Sequence, residues 1–318
     1  MRKPKSIVNK IFVISLCVLL SLYALSIIFT LVWGFIASFK NQYEFMFYNN
    51  WLGLPTLDAS KIPNSREELF RFANYRTIIR DYHLMEENCK TTFMVNGRMV
   101  SHQATGGFLM VLFNTVIYTV VGSILHTFIP AITAFAVAKY KNPVSKVIIG
   151  AALFALTTPI VGSQASMLAM LRNMGIYDSF WGYLLQKAGF GGMYFFICVG
   201  FYESMPDSFA EAAEIDGASQ LDILLKIVIP LSVKMLSVIF LIQFVHFWND
   251  YQTAYLYMPS HPTLAYAVWF LTTNNQVGGG DMVVRVAASM MLVLPILILF
   301  IFMKDKLMGN VTAGGLKQ

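Results

Sequence analysis

Residues 11–39 read IFVISLCVLLSLYALSIIFTLVWGFIASF and lie between Lys10 and Lys40 without one Asp, Glu, Lys or Arg. A helix needs about 20 apolar residues to cross a bilayer, so this stretch is long enough for a transmembrane helix. It is too long for the apolar core of a signal peptide, and no small-residue cleavage site follows it. The stretch therefore predicts a first membrane span.

The composition of the whole chain indicates the same class of protein. Of 318 residues, 57% are hydrophobic and 13% are charged, against roughly a quarter charged in soluble proteins. A soluble domain of this length could not bury so much apolar surface. Low charge argues against disorder, and three Cys without metal or redox spacing exclude a disulfide scaffold. We interpret the net charge of +6 as membrane topology rather than as nucleic-acid affinity.

Five further apolar stretches predict five further spans. They cover about residues 108–137, 147–170, 188–203, 230–251 and 283–303. The fourth span is short because Lys187 interrupts it, and residues 178–187 are interpreted as an interfacial segment that leads into it. A total of five spans remains the alternative to six.

Basic residues mark every second connection between these spans, as expected for cytoplasmic segments. Those segments contain Arg2, Lys3, Lys5, Lys10, Lys139, Lys141, Lys146, Lys304, Lys306 and Lys317, and Lys226 and Lys234 lie beside the fourth connection. The opposite short connections contain only Arg172, Lys187 and Arg285. The sequence thus predicts an all-α integral membrane protein with six transmembrane helices and both termini in the cytoplasm.

This topology divides the chain into five regions. They are a cytoplasmic N-terminus 1–10, a first span 11–39, a long extracytoplasmic loop 40–107, a five-span core 108–303 that includes a cytoplasmic loop 204–228, and a cytoplasmic tail 304–318. Within the long loop, apolar residues at helical spacing predict an amphipathic helix over Arg66–Arg80. That helix either covers the outer ends of the spans or contacts an extracytoplasmic partner.

The connection before the fifth span has an unusual composition for the cytoplasmic side. Residues 204–222 contain five acidic residues and no basic one, together with several alanines. Ser204 with Asp207, and Ser219 with Asp222, have the spacing of helix capping boxes, and Gly217 between them can end a helix. The pattern predicts two short helices. Carboxylates and small side chains suit the approach of another protein, although a solvated hairpin has the same composition.

A family resemblance favours the first interpretation. Residues 211–218 read EAAEIDGA and residues 227–230 read IVIP. They resemble the signature cytoplasmic loop of permeases from binding-protein-dependent ABC importers, which has Glu-Ala-Ala, a Gly four residues later, and then Ile-x-Leu-Pro. Only Ile229 departs from that pattern, by a conservative apolar exchange. The position before the penultimate span agrees with the same family.

Other segments resemble the carbohydrate branch of these importers, in particular the second permease subunit of maltose-type systems. Residues 247–250, FWND, are similar to an aromatic-Trp-Asn-Asp/Glu run, and Asn114-Thr115 is similar to an Asn-Ser/Thr position early in the second span. The C-terminal residues resemble a tail that reaches into the ATPase dimer, and they are Gly314, Gly315, Leu316 and Lys317. The long loop 40–107 exceeds the length expected for this branch.

The resemblance implies partners and roles. The chain lacks a Gly-x-x-x-x-Gly-Lys-Ser/Thr phosphate-binding loop, so it is expected to be a transport permease and not an enzyme. It would bind no cofactor or metal itself. ATP and Mg would be used by two cytoplasmic ATPase subunits. A homologous second permease, an extracytoplasmic solute-binding protein and a sugar, in a bacterial cytoplasmic membrane, complete the expected system.

The same resemblance assigns the coupling residues. A hairpin between spans four and five would dock in a cleft of an ATPase, where Glu211 pairs with basic residues and Gly217 permits the turn. Alanines would allow close docking. The expected coupling residues are Glu211, Ala212, Ala213, Asp216, Gly217 and Ala218.

Polar groups inside spans are expensive, so each is a candidate for the transport pathway. In the fifth span, the spacing of Gln243, His246, Asn249 and Asp250 predicts one helical face. Trp248 and Tyr251 border it, and aromatic rings beside polar groups suit sugars. Interhelical hydrogen bonding is the alternative role. The candidates are Asn114, Gln243, His246, Trp248, Asn249 and Asp250.

Three alternatives remain open from the sequence. An importer of the same family could carry a solute other than a sugar. A secondary transporter would predict internal repeats and intramembrane carboxylates, which are not evident. A membrane-embedded enzyme would need a cluster of catalytic groups at one depth, whereas His126 and His246 have no motif around them.

Overall fold

The computed structural model describes residues 7–46, 50–55, 72–88, 90–95, 98–140, 142–158, 162–273 and 281–308. The first half contains α1 (Ile7–Ala37), α2 (Gln42–Met46), α3 (Ala73–Asn88), β1 (Lys90–Val95), β2 (Arg98–Gln103), α4 (Gly107–Lys139), α5 (Pro143–Thr157) and α6 (Ser163–Asn173). The second half contains α7 (Phe180–Gln186), α8 (Met193–Glu203), α9 (Ser208–Ile215), α10 (Gln220–Ile223), a π-helical turn (Leu224–Val228), α11 (Ile229–Trp248), α12 (Tyr251–Tyr257), α13 (Leu264–Thr273) and α14 (Met282–Met308).

Four helices in the described part of the chain are long and apolar enough to cross a membrane. They are Asn9–Ala37, Gly107–Lys139, Gln220–Trp248 and Met282–Lys304. They cover the predicted first, second, fifth and sixth spans. A mostly helical chain with several apolar candidate spans is therefore confirmed.

The predicted third and fourth spans are shorter helices. Helix α5 ends at Thr157 and α6 begins at Ser163, after Gly162 in the left-handed region at φ +76°. Helix α8 begins at Met193 rather than at residue 188, and α7 lies within the predicted interfacial segment. Glycines 189, 191 and 192 precede α8, and Gly192 has φ +105°, a conformation that a regular helix does not contain.

The prediction of an all-α chain needs a correction in the long loop. Strands β1 and β2 form an antiparallel hairpin in which Lys90 is paired with Gln103 and Val95 with Arg98. Helix α3 confirms the amphipathic helix from Ala73 onward, whereas residues 66–71 lie outside the described part. The hairpin was not predicted because the prediction rested on long apolar runs, and each strand has only six residues.

The chain divides into two compact units. One unit contains Met1–Asp81 and Leu271–Val293, and in it the C-terminal end of α1 is fixed by polar contacts. Lys40 is fully buried and its Nζ donates to the carbonyls of Asn50 and Trp51. Burial lowers the pKa of Lys40, and the nearby Glu44 carboxylate partly offsets this shift. Asn74 of α3 donates to the Lys40 carbonyl at 2.9 Å, so the loop is tied to the end of the helix.

The other unit contains Tyr82–Phe270 and Leu294–Gln318. Its core is formed where α4 packs against α8 and α11, and small residues line part of this contact, as is common between membrane helices. Buried members include Ala131, Ala134, Phe195, Cys198, Leu236 and Ile239. A methyl group on Gly122 of α4 would lie 2.9 Å from the Phe247 ring of α11, so glycine is needed for this approach.

Candidate functional site

The loop between α8 and α11 contains the two predicted short helices, α9 and α10. Gly217 separates them at φ +79°, in the left-handed region that favours glycine. The N–H of Gly217 donates to the Glu214 carbonyl at 3.0 Å, and the N–H of Ala218 donates to the Ala213 carbonyl at 2.9 Å. These two bonds are the Schellman motif, which closes the C-terminus of α9 and confirms the predicted stop at Gly217.

The two predicted capping boxes have different outcomes. At α10 the box forms, because the Asp222 N–H donates to Ser219 Oγ at 3.2 Å and the Ser219 N–H donates to Asp222 Oδ2 at 3.3 Å. At α9 the prediction is wrong. Ser204 instead follows the last residue of α8 and caps its C-terminus, where its hydroxyl donates to the Phe201 carbonyl at 2.7 Å. Asp207 therefore caps α9 without a side-chain bond.

The predicted coupling residues lie in two environments. Glu211, Ala212, Asp216 and Gly217 are exposed. By contrast, Ala213 and Ala218 are half-buried and pack against the core of their own chain. Of the three alanines, Ala213 and Ala218 therefore contribute to packing within the chain, and only Ala212 presents its methyl group to solvent.

Exposed apolar side chains accompany the acidic residues of this loop. Ile215, at the end of α9, is 86% exposed, and Leu221 of α10 is 63% exposed. Their exposure could not be predicted, because a helix of eight residues or fewer gives too short a pattern to define its buried face.

A cleft of about 280 Å³ lies beneath α9. It is bounded by α9 and by the ends of α4 and α8, with apolar walls from Phe135, Tyr202 and Ala210. Lys139 and Glu211 stand at its edge. Helix α9 therefore lies beside the C-terminal ends of α4 and α8, and its Ala210 belongs to the core.

The predicted polar face of the fifth span does not form one surface. Helix α11 ends at Trp248, so Asn249 and Asp250 follow it. Gln243 and Trp248 are buried, whereas His246 and Asn249 are exposed. The prediction of one helical face is wrong because α11 ends at Trp248, before Asn249.

Asp250 and the Asn114-Thr115 pair make specific contacts within the chain. Asp250 Oδ2 accepts the Tyr118 hydroxyl at 2.8 Å, and its Oδ1 accepts the Thr253 N–H at the start of α12 at 3.0 Å. Asn114 is buried and donates to the Pro262 carbonyl at 3.3 Å. Thr115 Oγ1 accepts the Leu264 N–H at 2.7 Å. These groups join α4 to the segments around α12 and α13.

Helices α12 and α13 form an aromatic group of which only Tyr251 was predicted from the sequence. Tyr251 stacks on Trp269 with ring centres 5.5 Å apart, and Tyr255 lies 5.0 Å from the same ring. Tyr251 and Tyr255 are 40% and 46% exposed. The tail residues 314–317 lie outside the described part of the chain.

Long apolar helices joined by an acidic loop of two short helices define a multi-pass membrane protein. The family described as the binding-protein-dependent transport system inner membrane component matches residues 128–308, more than half of the chain. The chain belongs to this family. The predictions of an importer permease, of a membrane location and of a transport component rather than an enzyme are confirmed.

The relatives of this chain are permease proteins. It is 29% identical over 148 residues to the polygalacturonan/rhamnogalacturonan transport system permease protein of Bacillus subtilis, which is 45% of this chain and 49% of that protein. It is 26% identical over 210 residues to the melibiose/raffinose/stachyose import permease protein of the same organism, 64% of this chain and 74% of that protein. The maltose/maltodextrin transport system permease protein of Vibrio vulnificus is 26% identical over 215 residues, 65% of this chain and 71% of that protein. The chain thus spans about half the length of the first relative and nearly three quarters of the others.

The fold has a solved counterpart. A chain in the crystal structure of a bacterial ABC transporter involved in the import of the acidic polysaccharide alginate superimposes with a TM-score of 0.71. The match covers 96% of this chain and 99% of that chain at 22% identity. At this identity the likeness establishes the fold.

Proposed function

We propose that this chain is a permease subunit of an ATP-driven importer for a sugar, in particular an oligosaccharide, delivered by an extracytoplasmic binding protein. The observation that carries the proposal is the match to the binding-protein-dependent family together with three relatives whose names all specify saccharides. A homologous second permease and two ATPase subunits, which use ATP and Mg, complete the transporter.

The topology we propose has six spans and cytoplasmic termini. Helices α5 and α6 form a broken third span, and α8 with the segment before it forms the fourth. The basic residues after α4 and around α11 support this orientation, because cytoplasmic connections accumulate Lys and Arg. The loop 204–228 then lies in the cytoplasm, between spans four and five.

We assign this loop as the surface on which an ATPase docks. Its exposed features are the Glu211 carboxylate, the Ala212 methyl group and the apolar Ile215 side chain. A carboxylate orients a basic partner, and an exposed apolar side chain supplies the buried contact at the centre of an interface. Since α9 lies beside the ends of α4 and α8 and Ala210 packs in the same core as those helices, movement of the ATPase subunits would displace them as rigid bodies. The tail 314–317 is the second proposed ATPase contact.

We place sugar contacts near the outer end of α11. The stacked rings of Tyr251 and Trp269 offer a flat apolar surface, and the exposed Asn249 lies beside them in sequence. Sugars present one apolar face and a polar rim, which this combination suits. Gln243 and His246 remain candidates deeper in the span.

The test is ATP hydrolysis by the co-purified complex in proteoliposomes, with and without its binding protein and a panel of maltotriose, raffinose and trigalacturonate. We expect one loaded binding protein to stimulate hydrolysis. No ATPase activity from an intact complex would contradict the proposal and favour a secondary transporter. Stimulation by a non-sugar solute alone would keep the family and overturn the substrate class.

A further inference from the structure

Asp178, between α6 and α7, combines a buried carboxylate with an unusual backbone conformation. Its side chain is fully buried, although a carboxylate in a buried site needs partners to offset lost hydration. Its φ of +56° makes it the one residue other than glycine in the left-handed region among the residues described. Aspartate tolerates this region better than most residues, but the conformation persists only where the surroundings enforce it.

Three segments supply the partners of this carboxylate. Oδ1 accepts the N–H and the hydroxyl of Ser260 at 3.0 and 2.9 Å. Oδ2 lies 3.1 Å from Nδ1 of His102 on β2. Nδ1 of His261 lies 3.8 Å from Oδ1 and 3.1 Å from the Ser260 hydroxyl. The carboxylate therefore orients the His102 imidazole directly and the His261 imidazole through the Ser260 hydroxyl.

Aromatic rings fix both imidazoles from a second side. Phe93 of β1 makes an edge contact with His102 at a ring distance of 5.2 Å, and Phe93 itself packs edge-on against Tyr177 at 4.8 Å. Phe180 of α7 lies 5.8 Å from the His261 ring. Side chains held by a hydrogen bond and by packing are preorganised, which is the property of a binding site.

Both imidazoles line one cavity of about 480 Å³, which we name the hairpin pocket. Its walls include His102, Gln103, Thr105, Asn114, Ser260 and His261. The two histidine side chains remain 39% and 31% exposed, although Asp178 behind them is fully covered. Among the described residues neither Nε2 atom has a hydrogen-bond partner. If Asp178 only connected two segments of the chain, its two hydrogen bonds with Ser260 would suffice, and two imidazoles facing a cavity would not be needed.

We propose that the hairpin pocket binds the hydroxyl groups of one sugar unit of the transported oligosaccharide. When Nδ1 of His102 donates its proton to Asp178 and Nδ1 of His261 donates to the Ser260 hydroxyl, each Nε2 is left as an acceptor for a sugar hydroxyl. The amides of Gln103 and Asn114 and the hydroxyl of Thr105 surround the same space with groups that donate and accept. No Lys or Arg is among the described residues that line the pocket, which disfavours a phosphate ligand. The inference rests on the proposed function, because it deepens the choice of sugar as substrate.

The pocket is tested by sugar binding to the intact, detergent-solubilised complex without its binding protein. The probe is the radiolabelled member of the panel maltotriose, raffinose and trigalacturonate that supports ATP hydrolysis, measured by equilibrium dialysis. We expect saturable binding that weakens at least tenfold in His102→Ala and His261→Ala. His261→Gln should recover most of the affinity, because its amide can still accept a hydroxyl. Gln164→Ala, an exposed residue of α6, is the control and should bind as the unaltered chain does.

The outcomes separate the pocket from the proposed function. No saturable binding, or equal affinity in correctly inserted histidine variants, overturns the pocket while ATP hydrolysis stimulated by the loaded binding protein leaves the importer proposal intact. Histidine variants that weaken only the association of the sugar-free binding protein also overturn it, since the pocket would then contact protein. Failure of every sugar to stimulate hydrolysis would instead remove the proposed function itself.

Discussion

At Gly217, the effect of a substitution on the backbone can be distinguished from its effect on a docked partner. Its φ of +79° favours glycine, yet a Cβ built there meets no atom within 4 Å in this chain. A substitution therefore meets only the backbone cost, about 1–2 kcal/mol for most residues and less for Asn or Asp. A larger effect must come from the docked partner.

We therefore expect Gly217→Asp to abolish transport while membrane insertion is preserved, because an added carboxylate would meet the ATPase at close range. Uptake and surface expression measure the two properties. Gly217→Asn is the matched control, with the same shape and no charge, and should lose less activity. Normal uptake by a correctly inserted Gly217→Asp chain would contradict the docking role.

The neighbouring alanines call for different tests because the structure places them differently. Ala213→Arg is expected to uncouple the ATPase, but it would also disturb the core against which Ala213 packs. Ala212→Arg, at an exposed position, should reduce ATPase association at least tenfold without lowering the thermal stability of the isolated chain. Co-purification and thermal unfolding measure these quantities. Unchanged association of Ala212→Arg would remove α9 from the interface.

At the scale of the element, α10 depends on its capping box. Ser219→Ala removes one half of the reciprocal pair with Asp222, and the loss of such a cap costs about 1 kcal/mol. We expect faster amide hydrogen exchange over residues 220–223 and little change in α11. Ser204→Ala is the control, since Ser204 does not cap α9. Equal exchange in both variants would show that the box contributes nothing to this helix.

The contact between α4 and α11 depends on Gly122. Gly122→Val would place methyl groups against the Phe247 ring, and overpacking of this kind costs about 1–3 kcal/mol. We expect a lower unfolding temperature of the detergent-solubilised chain. Gly122→Val combined with Phe247→Leu should recover part of the loss. A destabilisation that the second substitution leaves unchanged would mean that the two helices do not meet through this pair.

At the scale of the whole molecule, the proposed topology predicts two accessibility patterns. In a chain without its native cysteines, Met99→Cys on β2 should react with a membrane-impermeant maleimide from outside intact cells. Val144→Cys, near the start of α5, should react only after permeabilisation. Both positions are exposed and neither belongs to the proposed ATPase interface, so burial cannot explain a failure to react. Labelling of Val144→Cys in intact cells would overturn the proposed orientation.

Much of the helical architecture was predictable because long apolar runs have few alternatives. The stretch from Ile11 to Phe39 could form only a span, and α1 covers Ile7–Ala37. Helix breaks were less predictable. The start of α8 at Met193 and the interruption after Thr157 depend on backbone conformations at Gly192 and Gly162 that the apolar pattern does not encode.

The membrane class of the chain, its family and the turn at Gly217 could be read from the amino-acid sequence, because hydropathy, motif spacing and glycine preference are local properties. Packing of the folded chain places Ala213 inward and Ala212 toward solvent, and it brings the Tyr118 hydroxyl to the Asp250 carboxylate. It also brought His102 and His261 to the buried Asp178 carboxylate. Residues so far apart in the chain come into contact only when the helices pack, so a local sequence pattern cannot predict the contact.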